Sequence, residues 1–414
     1  MAKRIGLLTC GGDAPGQNVC LKSIVYSAVD RGFEVLGIRK GWEGLLHYNP
    51  DDVRTRGDNI MSLTKVVVRD IDRMPGSLLH SSRLNPGSLS PESVPAFLRS
   101  KGREAPATDM TDHIKHVVAK LEMDGLIVLG DRRGLDYAAR LQQQGVPTVG
   151  IPKTVHNDVS GSDYTLGFSS ALGRGVRLIN EIRAMAASRE EIGVVEILSW
   201  TTGLTTMLIA FLAGVDRTLI PEAPFDPEKL AKMLVNDKQT NPNNYAILTL
   251  SEATSLVTEK VNQYLPDLSR LANSRMLEAA MTSGESASVG TRIRIEMAGR
   301  RAVGTHVSGT GAVVTEILEN LIGQRLLFQP LSYLIRTGEP DGQDLLGAMN
   351  FATLAVQLFA EGKTGQLVAY RRRDNYVDVP LDTVNEPLGN IRLADFYDSD
   401  KYYAKPGILW AARA

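Results

Sequence analysis

The sequence predicts an α/β protein built on parallel sheets, and three observations carry that expectation. Short apolar runs alternate with amphipathic stretches long enough to be crossover helices, several runs end in glycine turns, and the alternation occurs once before about residue 165 and again after it. Strands joined through helices pair in parallel, and such sheets bind ligands at the carboxyl ends of their strands. A length of 414 residues fits two domains with a remaining segment, and 43% apolar residues suffice for two sizeable cores. The divisions are placed at 1–165, 166–350 and a C-terminal segment 351–414 that returns across the domains.

The elements follow in order. Ile5–Thr9 is a short apolar strand, Gly11–Gly16 a turn, Gln17–Arg31 a helix and Glu34–Ile38 a strand. The pattern resumes with a helix at Asp112–Glu122, a strand at Gly125–Leu129, a glycine turn, a helix at Leu135–Gln143 and a strand at Thr148–Ile151. The second set holds a helix at Leu172–Ser188, a strand at Ile192–Leu198, a helix at Leu204–Ala213 and strands at Thr218–Ile220 and Tyr245–Leu250. The stretch Leu256–Val303 is polar and irregular and reads as a mobile lobe, while Asp51–Pro75 reads as an insertion.

Composition excludes several function classes. Forty-six basic residues against 47 acidic ones give a net charge of -1, so no bulk positive field draws nucleic acid. The longest apolar-rich stretch, Leu204–Val215, is too short to span a bilayer. The first residues, MAKRIGLLT, run into a strand without a signal-peptide pattern. Cys10 and Cys20 make no disulfide framework, so a cytoplasmic protein without membrane or nucleic-acid partners is expected.

Three strand-end segments carry candidate chemistry. Gly11-Gly12-Asp13-Ala14-Pro15-Gly16 either cradles a phosphate on free backbone N–H groups or is simply a tight turn using positive φ. Gly130-Asp131-Arg132-Arg133-Gly134 sits in an equivalent turn, where the two arginines either clamp phosphate or remain solvated surface charge. Pro152–Asp158 is dense in polar groups, and His156 there is either a base near neutral pH or a capping residue. Arg325 and Arg336, with Tyr333 between them, offer a further cationic patch, and Cys/His metal signatures are absent from the sequence.

Taken together these segments resemble the phosphofructokinase family. GGDAPGQN resembles its GGDxPGxN turn, GSLLHSSRLNP (Gly76–Pro86) its GTxLGSSRxNP segment, and PKTVHNDVSGSDYTLGF its PKTxDNDxxGTDYxxGF segment; VVEILSW, SEAT and YLIRTGEPDGQD extend the similarity over about residues 3 to 380. The resemblance implies two Rossmann-like, three-layer α/β/α domains facing across a cleft, in dimers or tetramers. One domain binds the phosphoryl donor, ATP or pyrophosphate with Mg²⁺, and the other fructose 6-phosphate. It implies donor or phosphate contacts at Gly11, Gly12, Arg83, Arg132, Arg133 and Lys153, where Lys153 resembles the pyrophosphate-associated form. It implies sugar-phosphate contacts at Thr154, Asp158, Glu252, Arg325, Tyr333 and Arg336, with Tyr333 in place of the family histidine.

The sequence also departs from the family pattern. Counting ungapped from Asp124 through Tyr137 puts Arg132 where the family aspartate serves Mg²⁺, so the metal position reads as lost. His156 stands at the position of the family base, Glu191 at an arginine that reaches a neighbouring subunit, and Leu198-Ser199-Trp200 at a trio containing another arginine. A general base is worth about 10²–10⁴-fold and a transition-state arginine about 10³–10⁵-fold. The expectation is therefore a pseudoenzyme, a phosphate-ligand sensor or a regulatory subunit of an active paralogue, as a homo-oligomer or as a hetero-oligomer with that paralogue. The alternative is an active phosphotransferase that uses His156, either a pyrophosphate- or ATP-dependent 6-phosphofructokinase or a kinase with altered substrate.

Overall fold

The computed structural model describes residues 3–99, 109–199, 202–264, 310–373, 375–387 and 393–405. The chain divides into two compact units, one made of residues 1–171 and 336–389, the other of 172–335 and 390–414. The divisions thus fall at 171/172 and 335/336 rather than at 165/166 and 350/351, and the C-terminal segment is shared between the units.

The first unit opens with β1 (Arg4–Thr9), α1 (Gln17–Asp30), β2 (Glu34–Ile38), α2 (Trp42–His47), α3 (Arg54–Asn59) and β3 (Ile60–Leu63). It continues through α4 (Thr111–Lys120), β4 (Gly125–Gly130), α5 (Arg132–Gln143) and β5 (Thr148–Pro152). The chain crosses to the second unit within α6 (Phe168–Arg189). There it forms β6 (Ile192–Ile197), α7 (Leu204–Ala213), β7 (Arg217–Leu219), α8 (Pro227–Thr240), β8 (Ala246–Ser251), α9 (Thr258–Tyr264), α10 (Thr310–Ile322) and β9 (Leu327–Pro330). It returns as α11 (Gly342–Ala360), β10 (Gln366–Arg371) and β11 (Asn375–Pro380). Of the expected lobe at 256–303, only residues up to 264 are described, and Thr258–Tyr264 is helical; the rest lies outside the described residues.

The first sheet has seven strands in the order β11-β10-β5-β4-β1-β2-β3. Its centre is parallel, while β3 and β11 run antiparallel at the two edges. The stretch 51–75, read from sequence as an insertion, supplies α3 and that edge strand β3. Strands β4 and β5 are buried along their whole length, which is why they read as unbroken apolar runs rather than as alternation. From β1 the chain steps to β2 on one side, and from β4 to β5 on the other, so the order reverses between β1 and β4. That reversal is the position where open parallel sheets take ligands.

Helix α11 belongs to the first unit because it packs against α1. Its Asp344, buried to 0% exposure, ties this helix to the loop after β5. The carboxylate accepts from the Tyr164 hydroxyl, the Gly167 and Ser170 amides and the Ser170 hydroxyl. Burial raises the Asp344 pKa despite those donors.

The second sheet is four parallel strands in the order β7-β8-β6-β9. Val194, Leu219, Leu248 and Leu250 from its strands form its core with Leu234 of α8 and Leu318 of α10. No helix among the described residues is long and apolar enough to cross a membrane. Cys10 and Cys20 are both buried free thiols.

Candidate functional site

Three loops of the first unit meet at the strand reversal. The turn after β1 is fixed by the Gly76–Pro86 segment: Thr9 Oγ1 donates to His80 O at 2.6 Å, Gly11 N to Ser82 O at 3.0 Å, and Ser81 Oγ to Gly11 O at 2.6 Å. Gly11 has φ of +80°, and a Cβ there would collide with Asp131 Oδ2. A Cβ on Gly12 would stand 2.6 Å from Arg336 Nη1 and 3.3 Å from Arg83 Nη2. Both glycines are therefore required by close approach: a carboxylate lies on one and two guanidinium groups on the other. Gly16 precedes α1 with no side chain capping the helix, and the first helical amide, Gln17 N, donates to Ala14 O at 3.3 Å.

The turn after β4 differs from the expectation in a way that moves a charge. Helix α5 starts at Arg132 rather than at Leu135, so Asp131 becomes its N-cap and accepts from Gly134 N at 3.0 Å. That conformation lays the Asp131 carboxyl on Gly11. The Arg132 guanidinium instead reaches the carbonyls of Asn385 and Glu386, at 3.5 Å each, and Arg133 is exposed. An acidic side chain, one residue before the ungapped position, stands at the glycine turn. Asp131 is readable in the sequence as a residue of N-cap type ahead of a helix, but the residue count alone gives its place to Arg132.

The loop after β5 supplies the buried groups. Lys153 is wholly buried, and its Nζ donates to Gly12 O at 2.6 Å. Desolvation lowers its pKa, and Arg336 adds to that, while Cys10, Asp131 and Asp13 oppose it. Thr154 turns the chain, accepting from His156 N at 3.2 Å through Oγ1 and from the Thr165 hydroxyl at 2.7 Å through its carbonyl. His156 and Asp158 are both buried. Arg336, at 7% exposure, donates to Asp13 O at 3.2 Å and stands 2.9 Å from His156 Nε2. A guanidinium has no acceptor, so Nε2 is the acceptor and the neutral ring carries its proton on Nδ1. Burial first, then the charges of Arg336 and Arg83, push the His156 pKa down to about 3, with Asp131 opposing.

The second unit places the remaining expected residues differently. Glu252 is buried at the end of β8, its amide donating to Ile197 O at 3.2 Å and its carbonyl accepting from Thr310 Oγ1 at 2.8 Å. Arg325 is exposed, and Tyr333 is 55% exposed. Glu196, which sequence reasoning passed over, is buried in the middle of an apolar strand and accepts from Gly311 N at 3.1 Å. Glu191 is half-buried, and Trp200 lies outside the described residues.

Two glycine turns with guanidinium, ammonium and carboxylate groups set against them fit a ligand carrying phosphates. The phosphofructokinase family model matches residues 4–359. The chain belongs to the phosphofructokinase family. It is 29% identical over 400 residues to the pyrophosphate–fructose 6-phosphate 1-phosphotransferase of Dictyoglomus thermophilum, covering 97% of this chain and 98% of the relative. It is 30% identical over 393 residues to an ATP-dependent 6-phosphofructokinase of Chloroflexus aurantiacus, covering 94% and 93%. Among solved structures, the pyrophosphate-dependent phosphofructokinase of Marinobacter aquaeolei superposes with a TM-score of 0.70 at 14% identity, covering 97% and 88%. The phosphofructokinase of Saccharomyces cerevisiae does so with 0.65 at 19%, covering 92% of this chain and 45% of the other. At such identities these two structures show the fold, two phosphofructokinase-type α/β/α domains, and no more.

The family implies Mg²⁺, and the donor set can be tested against it. Among the described residues no cluster of three or more His, Cys, Asp or Glu side chains could hold a metal by itself. Mg²⁺ on a phosphate substrate needs only one or two protein carboxylates, because the phosphates and water complete its shell. Asp131, with Oδ1 on Gly134 N and Oδ2 on the Gly11 side, fits that lesser demand.

Proposed function

We propose that the protein is a phosphotransferase of the phosphofructokinase type, moving a phosphoryl group from pyrophosphate or ATP to a sugar phosphate. The observation that carries the reading is the charge arrangement at the β1/β4 reversal: Arg336 and Arg83 against Gly12, Lys153 beneath it, and Asp131 against Gly11. Phosphoryl transfer depends chiefly on positioning and on neutralising phosphate charge, and these groups supply both. The full-length relatives bearing phosphotransferase names support the same reading. Lys153 adds a buried cation beside the turn, and its resemblance to the pyrophosphate-associated form favours pyrophosphate as donor.

Asp131 would hold Mg²⁺ on the donor, where the ion offsets phosphate charge. Arg83 and Arg336 bind and orient phosphate oxygens. His156 takes the place of the base, and Thr154 fixes its backbone. Within this unit, Thr154 and Asp158 are the proposed sugar-phosphate residues.

A second reading is favoured by one observation. In the structure as it stands, His156 Nε2 is occupied by Arg336 and the ring offers only an N–H, so a binding protein without turnover fits as well. Such a protein would act as a phosphate-ligand sensor or as a regulatory subunit of an active paralogue. ³¹P NMR of fructose 6-phosphate with pyrophosphate or ATP, with and without Mg²⁺, separates the two. Fructose 1,6-bisphosphate signals support transfer. Ligand lines broadened by the protein, with no product, support binding alone, and co-purification from native cells would then recover an active phosphofructokinase.

A further inference from the structure

We propose that Arg336 is a positioning residue that latches His156 in a non-basic form, and that an anion bound at the Gly11–Gly12 turn releases the latch by drawing the guanidinium away from Nε2. This rests on the reading of the turn as a phosphate site and extends it to how the altered centre regains a proton acceptor.

The geometry supplies each part. The Arg336 guanidinium places Nη1 on Asp13 O at 3.2 Å and Nη2 on His156 Nε2 at 2.9 Å. The same Nη1 lies 2.6 Å from where a Gly12 side chain would begin, so Arg336 already lies over the turn a phosphate would occupy. A guanidinium binds an ionised phosphate with charge on both sides and through two parallel N–H···O bonds, whereas a neutral imidazole nitrogen offers one uncharged lone pair. A phosphate oxygen at the turn therefore outcompetes a neutral imidazole for the guanidinium. Among the described residues the buried His156 Nδ1 has no hydrogen-bond partner, so the Nε2 contact alone fixes the tautomer there.

The charged groups acting on the ring come from three loops. Arg336 and Arg83 depress its proton affinity and Asp131 raises it, after the larger depression due to burial. Asp13 sits on the adjoining turn, and Lys153, from the loop that carries His156, donates to that turn at Gly12 O. A bound polyanion offsets both arginines at once and exposes the Nε2 lone pair. Both changes raise the affinity of Nε2 for a proton. In the transfer step an acceptor hydroxyl would give its proton to Nε2, and its oxygen would bond to the terminal phosphorus of the donor. The bridging P–O bond would break, with the electron pair leaving on the departing phosphate or ADP. An imidazole that accepts protons only after anion binding limits the reaction to the loaded site.

The test is ¹⁵N NMR of the histidine rings of the full chain with and without inorganic pyrophosphate, over pH 5 to 8. The sequence has six histidines, so His156 is assigned by its disappearance in His156→Gln. The expected result without ligand is a neutral Nδ1–H ring throughout. With pyrophosphate its midpoint rises toward the ordinary histidine range, and pyrophosphate affinity depends more steeply on pH than in His156→Gln. Arg336→Gln should raise the midpoint without ligand. Arg336→Lys, which keeps the charge but not the two-pronged contact, serves if the first variant does not fold. A ring spectrum unmoved while ³¹P lines report bound pyrophosphate would overturn the latch and leave the ligand reading intact. Failure of pyrophosphate to bind would overturn the ligand reading, and the Arg336 variants alone would then decide whether the guanidinium holds His156.

Discussion

The two units build strand-end loops from similar parts and put opposite demands on their charges. In the first, Asp131, Lys153, Arg83 and Arg336 crowd around two glycines, and Lys153 Nζ donates to a neutral carbonyl rather than to a carboxylate. In the second, Glu196 receives a helix-start amide at Gly311, and Arg217 is paired with Asp237 through two contacts of 2.6 Å. These ionisable groups of the second unit are matched to partners within the fold. Those of the first are concentrated where backbone approaches closely, which is the arrangement expected when a ligand completes the matching.

Substitutions can break this contrast, the largest effect first. Gly11→Ala puts a methyl against Asp131 at a positive φ, so pyrophosphate binding should fall by at least about 10²-fold and stability by roughly 2 kcal/mol or more. Gly323→Ala in the second unit also has a positive φ but open space around it, and should cost only about 1–2 kcal/mol with binding unchanged. Calorimetric titration and urea unfolding read both. Asp344→Asn keeps the shape but loses one anionic acceptor for the Tyr164, Gly167 and Ser170 donors, and should cost about 1–3 kcal/mol in urea unfolding.

Arg217→Gln sharpens the comparison from the other side. It removes a two-contact ion pair only partly exposed, and should cost about 1–2 kcal/mol while pyrophosphate affinity stays within about twofold. A further effect is a pH dependence. His156 is held neutral with its pKa lowered to about 3 in the fold, whereas an unfolded histidine titrates at about 6.5. Between those values the unfolded chain binds more protons, so this group makes stability fall as pH drops below about 6.5. His156→Gln should remove that part of the acid slope in unfolding curves taken from pH 7 to pH 5.

How much was legible follows from where the information lies. Strands β1, β2, β4 and β5 were legible because glycine, aspartate and proline end each apolar run within a residue or two of the observed limits. The hairpin β10–β11 and the return of α11 to the first unit were not, since both depend on packing across long separations in the chain. The site shows the same division. Gly11, Gly12 and Lys153 stand in local motifs, but the placement of Asp131 on Gly11 depends on which residue starts α5. The His156–Arg336 contact joins residues 180 apart, and no local pattern contains it. The ungapped count placed Arg132 at the metal position; the fold turns its guanidinium to the carbonyls of Asn385 and Glu386.

The central claim, that the charges gathered at the β1/β4 reversal carry phosphoryl transfer, is tested most directly by ³¹P NMR turnover of protein expressed in a strain lacking its own phosphofructokinase. With fructose 6-phosphate, pyrophosphate and Mg²⁺, the expected products are fructose 1,6-bisphosphate and orthophosphate in equal amounts, with the rate falling at least about 10²-fold in His156→Gln. ATP in place of pyrophosphate should give the same sugar product if it is the donor. Bound ligand with no product from either donor, or turnover indifferent to His156, would contradict it.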